Sequence, residues 1–259
     1  VRDHILHHID QIEKQHDVKV LYACDAGSRA YGLHAPGSDY DVRFIYIHKP
    51  DWYLSIDQQR DVIELPVDDL LDMNGWDLQK ALKLFRKSNP PLFEWLQSEL
   101  VYLSDSFFVK SIKELEAEVF SPVPVLYHYF HMAKGNVKDY LMQDVVKVKK
   151  YLHVLRPILM CKWIETYKEA PPIHFDKLLN DLSLNSDVKQ ALQHLKDIKK
   201  SPDGQEYVTR SPVLHDFIER EVEHLERYIQ AQDTTKKEIT PQLNQLFLEN
   251  LQHTWGKFL

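Results

Sequence analysis

Hydrophobic and polar positions divide the chain into two kinds of pattern. Up to about residue 104, short apolar runs sit between turn-forming residues, the pattern of strands. Val20–Cys24 is one such run, and Asp39–His48 predicts a second, with Val42, Phe44, Ile45, Tyr46 and Ile47 supplying β-branched and aromatic residues. Arg60–Leu65 reads as a further strand stopped by Pro66, and Leu71-Asp72-Met73 as another core strand. Helices interleave with these. Asp3–Gln15 places Ile5, Leu6, Ile9 and Ile12 on one stripe, with Asp3 as its cap. Asp51–Ile56 predicts one helical turn. Asp77–Ser88 carries Leu78, Ala81, Leu82 and Phe85 at helical spacing and ends before Asn89-Pro90. Pro91–Gln97 begins another helix with proline at a favourable first position.

From Asp105 onward the alternation disappears and helical periodicity takes over. Helices are predicted over Asp105–Phe120, Val123–Met142, Val145–Tyr167, Asp176–Leu182, Ser186–Lys199, Ser211–Gln232 and Thr240–Thr254, with breaks at Pro171-Pro172 and Asp203-Gly204. The expectation is an α+β fold in two domains. Residues 1–104 hold a small mixed sheet with flanking helices, and residues 105–259 are all helical.

Composition narrows this picture without overturning it. A chain of 259 residues with 44% hydrophobic content can bury a core for one or two domains. The net charge of −7 argues against broad capture of long nucleic acid, while leaving room for a local basic groove. Cys24 and Cys161 are isolated, so neither a disulfide framework nor a zinc motif is expected, and a reducing cytoplasm is. The richest apolar stretch is interrupted by Arg156, Pro157 and Lys162, and no secretory signal or membrane contact is expected.

Candidate chemistry concentrates between the first two strands. Gly27-Ser28 follows a strand end, where a glycine lets a ligand approach the main chain and free N–H groups and a hydroxyl can cradle phosphate oxygens. Asp39-x-Asp41 places two carboxylates on one strand face with Cα atoms roughly 6.6 Å apart. Such a pair can bracket hard divalent ions of the kind used in two-metal phosphoryl transfer. The spacing alone says little, since about six acidic i,i+2 pairs are expected by chance among 39 acids. Glu114/Glu116 and Glu219/Glu221 are such pairs and read as solvated helix faces. Context singles out Asp39/Asp41, because the pair opens an apolar strand after a Gly-Ser turn; an ordinary acidic turn is the alternative.

A third carboxylate near the pair could take a proton from an attacking hydroxyl. Asp72, Asp77 and Glu64 are the candidates, and Asp77 has an equally good role as a helix N-cap. Among basic residues, Lys134, Lys138, Lys147, Lys149, Lys150 and Arg156 gather in two central helices, interleaved with His128, His131, Tyr140 and Tyr151. Spacing alone favours a solvated helix surface for them. His4, His7 and His8 read as an exposed polar face.

The string G-S-x10-D-x-D, filled by Gly27, Ser28, Asp39 and Asp41, resembles the signature of the DNA polymerase beta nucleotidyltransferase superfamily. The longer strings GSRAYGLHAPGSDYDVRFIYI, LDMNGWDLQKALKLFRKSNPPLFEWLQS and KKYLHVLRPIL resemble, within it, the bacterial and phage RNA-repair-pathway polymerase-beta-like family, from about Lys19 to about Glu226. The resemblance implies a polymerase-beta-like core whose cleft is closed by the helical domain. It implies transfer of a nucleoside monophosphate from a triphosphate such as ATP to an acceptor hydroxyl, with Mg²⁺ or Mn²⁺ as cofactor. Asp39, Asp41 and Asp72 are the implied metal ligands, and Asp72 ranks first as third carboxylate from its place in the second string. Gly27, Ser28, Arg29, Lys149, Lys150 and Tyr151 are the implied nucleotide contacts. An RNA end is the implied acceptor. A protein or small-molecule acceptor, or a silent nucleotide-binding scaffold, are the alternatives.

Overall fold

The computed structural model describes residues 1–67, 70–201, 206–232 and 238–257. The chain divides into two compact units: Val1–Ala30, Asp39–Phe120 and Lys236–Leu259 form the first, and Tyr31–Ser38 with Ser121–Thr235 the second.

The first unit is built on a five-stranded mixed sheet. Its strands are β1 (Val18–Asp25), β2 (Tyr40–His48), β3 (Val62–Glu64), β4 (Leu71–Asp77) and β5 (Val101–Ser104), in the order β3-β4-β2-β1-β5. β1 runs antiparallel to β2 and β5, β3 antiparallel to β4, and β2 parallel to β4. One sheet face is apolar: Val42, Phe44 and Tyr46 of β2 and Met73 of β4 pack with Ile5, Ile9 and Ile12 of helix α1 (Arg2–His16). Residues between them on β2 and β4, including Asp41, Arg43, Asp72 and Asn74, take the opposite face by strand alternation. A short α2 (Pro50–Tyr53) follows β2; α3 (Leu78–Phe85), α4 (Pro90–Leu96) and α5 (Ser106–Val119) follow the later strands, and α11 (Thr240–Trp255) belongs to the same unit.

The helix starts follow local chemistry. Asp77 Oδ1 accepts from the Gln79 N–H at 2.8 Å, Asn89 Oδ1 from Leu92 at 3.2 Å, and Asp105 Oδ1 from Phe108 at 2.9 Å. Asp3 does not cap α1 as expected; the helix starts one residue earlier and Asp3 lies in its first turn, where its charge suits the helix dipole.

The second unit contains α6 (Pro122–Tyr140), α7 (Val148–Tyr167), α8 (Phe175–Asp181), α9 (Ser186–Lys200) and α10 (Pro212–Gln230). It is not purely helical. Val145–Lys147, expected as the start of a helix, forms strand β6 and pairs antiparallel with β7 (Tyr207–Thr209), Val146 opposite Val208. The Val145-Val146-Lys147 alternation, exposed–buried–exposed, was hidden because apolar Val148 continues the run into α7. β5 was likewise not expected. The loop expected at Asp203-Gly204 lies outside the described residues. Tyr31 is bound into this unit: its carbonyl accepts from Phe175 N–H at 3.0 Å, and the Arg156 guanidinium lies 3.7 Å from its ring centroid. Both cysteines are buried thiols. No helix among the described residues is long and apolar enough to cross a membrane.

The cap at Asp77 carries a pH signature. The carboxyl is buried, takes a hydrogen bond from the Tyr53 hydroxyl at 2.5 Å, and burial raises its pKa to about 6. A carboxyl that titrates higher when folded binds its proton more tightly in the native state, so its contribution to stability is present at low pH and lost as pH rises through about 6. Asp77→Asn keeps a capping oxygen and removes the titration. In urea unfolding across pH 4 to 7.5, the stability of Asp77→Asn relative to the parent is expected to rise with pH by about 2–3 kcal/mol. Parallel pH profiles for the two proteins would contradict this account.

Candidate active site

The site begins where β1 ends. Ala26 N–H donates to the Asp41 carbonyl at 2.9 Å, extending the β1–β2 ladder by one bond. The chain then turns: Gly27 N–H donates to the Asp25 carboxylate at 3.1 Å, a side-chain-closed turn typical of aspartate. A Cβ on Gly27 would lie 1.7 Å from Asp41 Oδ2, so this position admits only glycine while the turn rests against that carboxylate. The Gly27-Ser28 turn and Asp41 are thus in direct contact.

Asp41 faces Asp72 across the parallel β2–β4 pairing, at the same register. Neighbouring strands lie about 4.8 Å apart, so the two carboxylates emerge side by side on one sheet face. Arg43 joins them. Its Nη2 is 2.8 Å from Asp72 Oδ2 and 3.5 Å from Asp41 Oδ1, while Nη1 donates to the Val42 and Asp72 carbonyls, each at 3.1 Å. Asp41 and Asp72 are each about one-third exposed.

Asp39 sits differently. β2 begins at Tyr40, and Asp39 lies just before it, exposed to solvent. Its carbonyl accepts from Arg29 Nε at 3.2 Å, and the Arg29 guanidinium stacks 3.8 Å from the Tyr40 ring centroid. Arg29 therefore ties the Gly-Ser turn to the entrance of β2. Among the described residues, no three His, Cys, Asp or Glu side chains converge as a ready-made metal cage. The donor set still suits a hard cation: two carboxylates side by side, already accompanied by a positive group in Arg43. Asp41 and Asp72 are the residues that would hold a divalent ion, with Asp39 one residue outside the strand.

The other third-carboxylate candidates are engaged elsewhere. Asp77 caps α3 and meets Tyr53. Glu64 pairs with Arg60 at 2.5 Å and accepts from Asn74 at 3.0 Å.

The nucleotide contacts proposed from α7 lie in the second unit. Lys149 is exposed. Lys150 donates to the Tyr140 hydroxyl at 3.1 Å and lies 4.2 Å from its ring centroid. Tyr151 corrects an expectation: it is fully buried and its hydroxyl contacts the Ser211 carbonyl at 3.4 Å, so it offers no open ring face to a base. The α7 periodicity places Tyr151 with the core residues Val148, Leu152 and Leu155. Lys199 of α9 is held below its ordinary pKa by burial first and then by Lys149, which marks a concentration of positive charge.

Two participants escaped sequence reasoning. Asp25, next to the Val20–Cys24 run, is fully buried, braces Gly27 and receives the Tyr102 hydroxyl at 3.3 Å. Burial raises its pKa above the ordinary carboxyl value; the Gly27 N–H opposes that shift and the Asp41 charge adds to it. Arg43 is the other, and its i+2 spacing from Asp41 is the signal that puts it on the same strand face.

The Gly27-Ser28 turn thus rests on one carboxylate, with a second at its side on a parallel strand. The chain belongs to the RNA repair pathway DNA polymerase beta family (RlaP), whose model matches residues 1–249. It is 44% identical over 255 residues to a protein of Bacillus subtilis (strain 168) named "Uncharacterized protein YcgL", covering 98% of each chain. A crystal structure of a nucleotidyltransferase-like protein from Exiguobacterium sibiricum 255-15 aligns over 96% of this chain and 79% of its own, at 11% identity and a TM-score of 0.33, a similarity too slight to bear on individual residues.

Gly27→Ala tests the contact that builds the site. The added methyl must displace the Asp41 carboxylate or the turn. Thermal unfolding is expected to show a loss of about 1–3 kcal/mol, the usual cost of overpacking. A melting curve unchanged from the parent would mean that the turn does not rest on Asp41.

Proposed function

We propose that this protein transfers a nucleoside monophosphate from a nucleoside triphosphate to an acceptor hydroxyl, with release of pyrophosphate. The observation that carries the reading is the contact of the Gly27-Ser28 turn with Asp41, beside Asp72 at the same register, in a chain of a polymerase-beta family. The Ser28 hydroxyl binds triphosphate oxygens, and Arg29 clamps a phosphate or the acceptor. Asp41 and Asp72, with Asp39, would hold Mg²⁺ or Mn²⁺. Divalent ions bound there neutralise phosphate charge and make the acceptor hydroxyl more acidic.

The acceptor oxygen forms a bond to the α-phosphorus as the bond from that phosphorus to the β-phosphate bridging oxygen breaks. The hydroxyl proton passes to Asp72, and the electron pair of the broken bond leaves with pyrophosphate. An RNA end is the favoured acceptor, on the strength of the family's description. The net charge of −7 adds nothing in its favour.

The test uses α-labelled nucleoside triphosphates, Mg²⁺, and separated RNA, protein and small-molecule fractions. Label is expected in RNA. Asp41→Asn is expected to lower labelling by at least about a thousandfold while leaving the circular dichroism spectrum unchanged. Label in protein or a small molecule would keep the chemistry and replace the acceptor. Nucleotide binding without label in any fraction would favour a silent scaffold, and full activity of Asp41→Asn would end the proposal.

A further inference from the structure

Arg43 brings a permanent positive charge to the paired carboxylates. Its side chain is about four-fifths buried (21% exposed), and its guanidinium cannot lose a proton in a protein. The attachments are of two kinds. Nη1 is anchored on main-chain oxygens, the Val42 and Asp72 carbonyls. Nη2 reaches the carboxylates, at 2.8 Å from Asp72 and 3.5 Å from Asp41. One guanidinium thus spans both acids, where two like charges on adjacent strands would otherwise repel.

We propose that Arg43 is the resident counter-ion of Asp41 and Asp72, and that a divalent cation binds these acids only in competition with it. Arg43 is then a positioning and specificity-determining residue that sets the threshold for metal binding. The inference rests on the reading of Asp41 and Asp72 as cation ligands. The split attachment makes exchange workable, because Nη2 can release the carboxylates while Nη1 keeps the guanidinium on β4. It also discriminates by charge. A monovalent ion brings no more charge than Arg43 already supplies, whereas a divalent ion brings twice as much. Sodium and potassium are therefore poor competitors.

The test compares the full chain with Arg43→Gln and Arg43→Lys, using Mn²⁺ alone as the probe. Free Mn²⁺ is followed by electron paramagnetic resonance, and metal-free melting is measured in chelator. Arg43→Gln is expected to bind Mn²⁺ about tenfold more tightly and to melt lower without metal. Arg43→Lys, which keeps the charge but not the planar fork, is expected to fall between. Equal or weaker Mn²⁺ binding by folded Arg43→Gln would overturn the proposal and leave the two acids as ligands. Should Arg43→Gln fail to fold, Mn²⁺ affinity of Arg43→Lys no tighter than the parent's would overturn it instead. Absence of Mn²⁺ binding in the parent and both variants would remove the ligand reading, and this inference with it.

Discussion

Two carboxylates on neighbouring parallel strands repel each other, and the arrangement of this site answers that repulsion. At a strand spacing of roughly 4.8 Å and an effective dielectric of about 20, two full charges repel by about 3 kcal/mol, and by less where water reaches them as it does here. The parallel register of β2 and β4 imposes the proximity of Asp41 and Asp72. The apolar residues that alternate with them hold that register, because Val42, Phe44, Tyr46 and Met73 are buried on the opposite face. A one-residue slip would carry the acids onto the face that packs against α1. The hydrophobic core therefore fixes an electrostatically unfavourable pair in place, and Arg43 relieves it.

The turn after β1 depends on the same pair. Gly27 can approach the Asp41 carboxylate because it has no side chain, and Asp25 holds its N–H from behind. The Asp25 carbonyl in turn accepts from Ser98 at 2.6 Å, which ties the end of β1 to the segment after α4. The phosphate-binding element proposed here is thus supported by three strands and one helix terminus, although it is itself a short turn.

Much of this was legible because strands and helices write different periods. β2 declared itself through Val42 to Ile47, and Asp77 through its place before an amphipathic helix. The Gly-Ser turn and the acids were found as residue types at suggestive spacings. The spacing allows the turn to fold back on the acids, and the contact itself depends on how β1 and β2 pair. The role of Asp25 is not visible in the sequence, because burial of a carboxylate is a tertiary fact. Arg43 stands at i+2 from Asp41, but a single basic residue in a strand is outweighed in the sequence by the dense charge of the helices. Tyrosine suits both a nucleotide contact and a core, and for Tyr151 its neighbours on α7 decide for the core. β6 and β7 are three residues each, too short to assert a period against the helices beside them.

The return of α11 to the first unit has a consequence for how this chain folds. Phe247 meets Tyr53 edge-on at 4.9 Å, His253 stacks on Phe107 at 4.5 Å, and Thr240 accepts from Arg86 at 2.9 Å. The unit that begins with the first helix is closed by residues made more than a hundred positions after its last strand. On the ribosome, the sheet must wait through synthesis of all the intervening helices before its final partner emerges. During that interval the surface destined for α11 is uncovered, and contacts so far apart in sequence form slowly. Cutting the chain between α5 and α6 would give an N-terminal fragment that lacks a piece of its own domain.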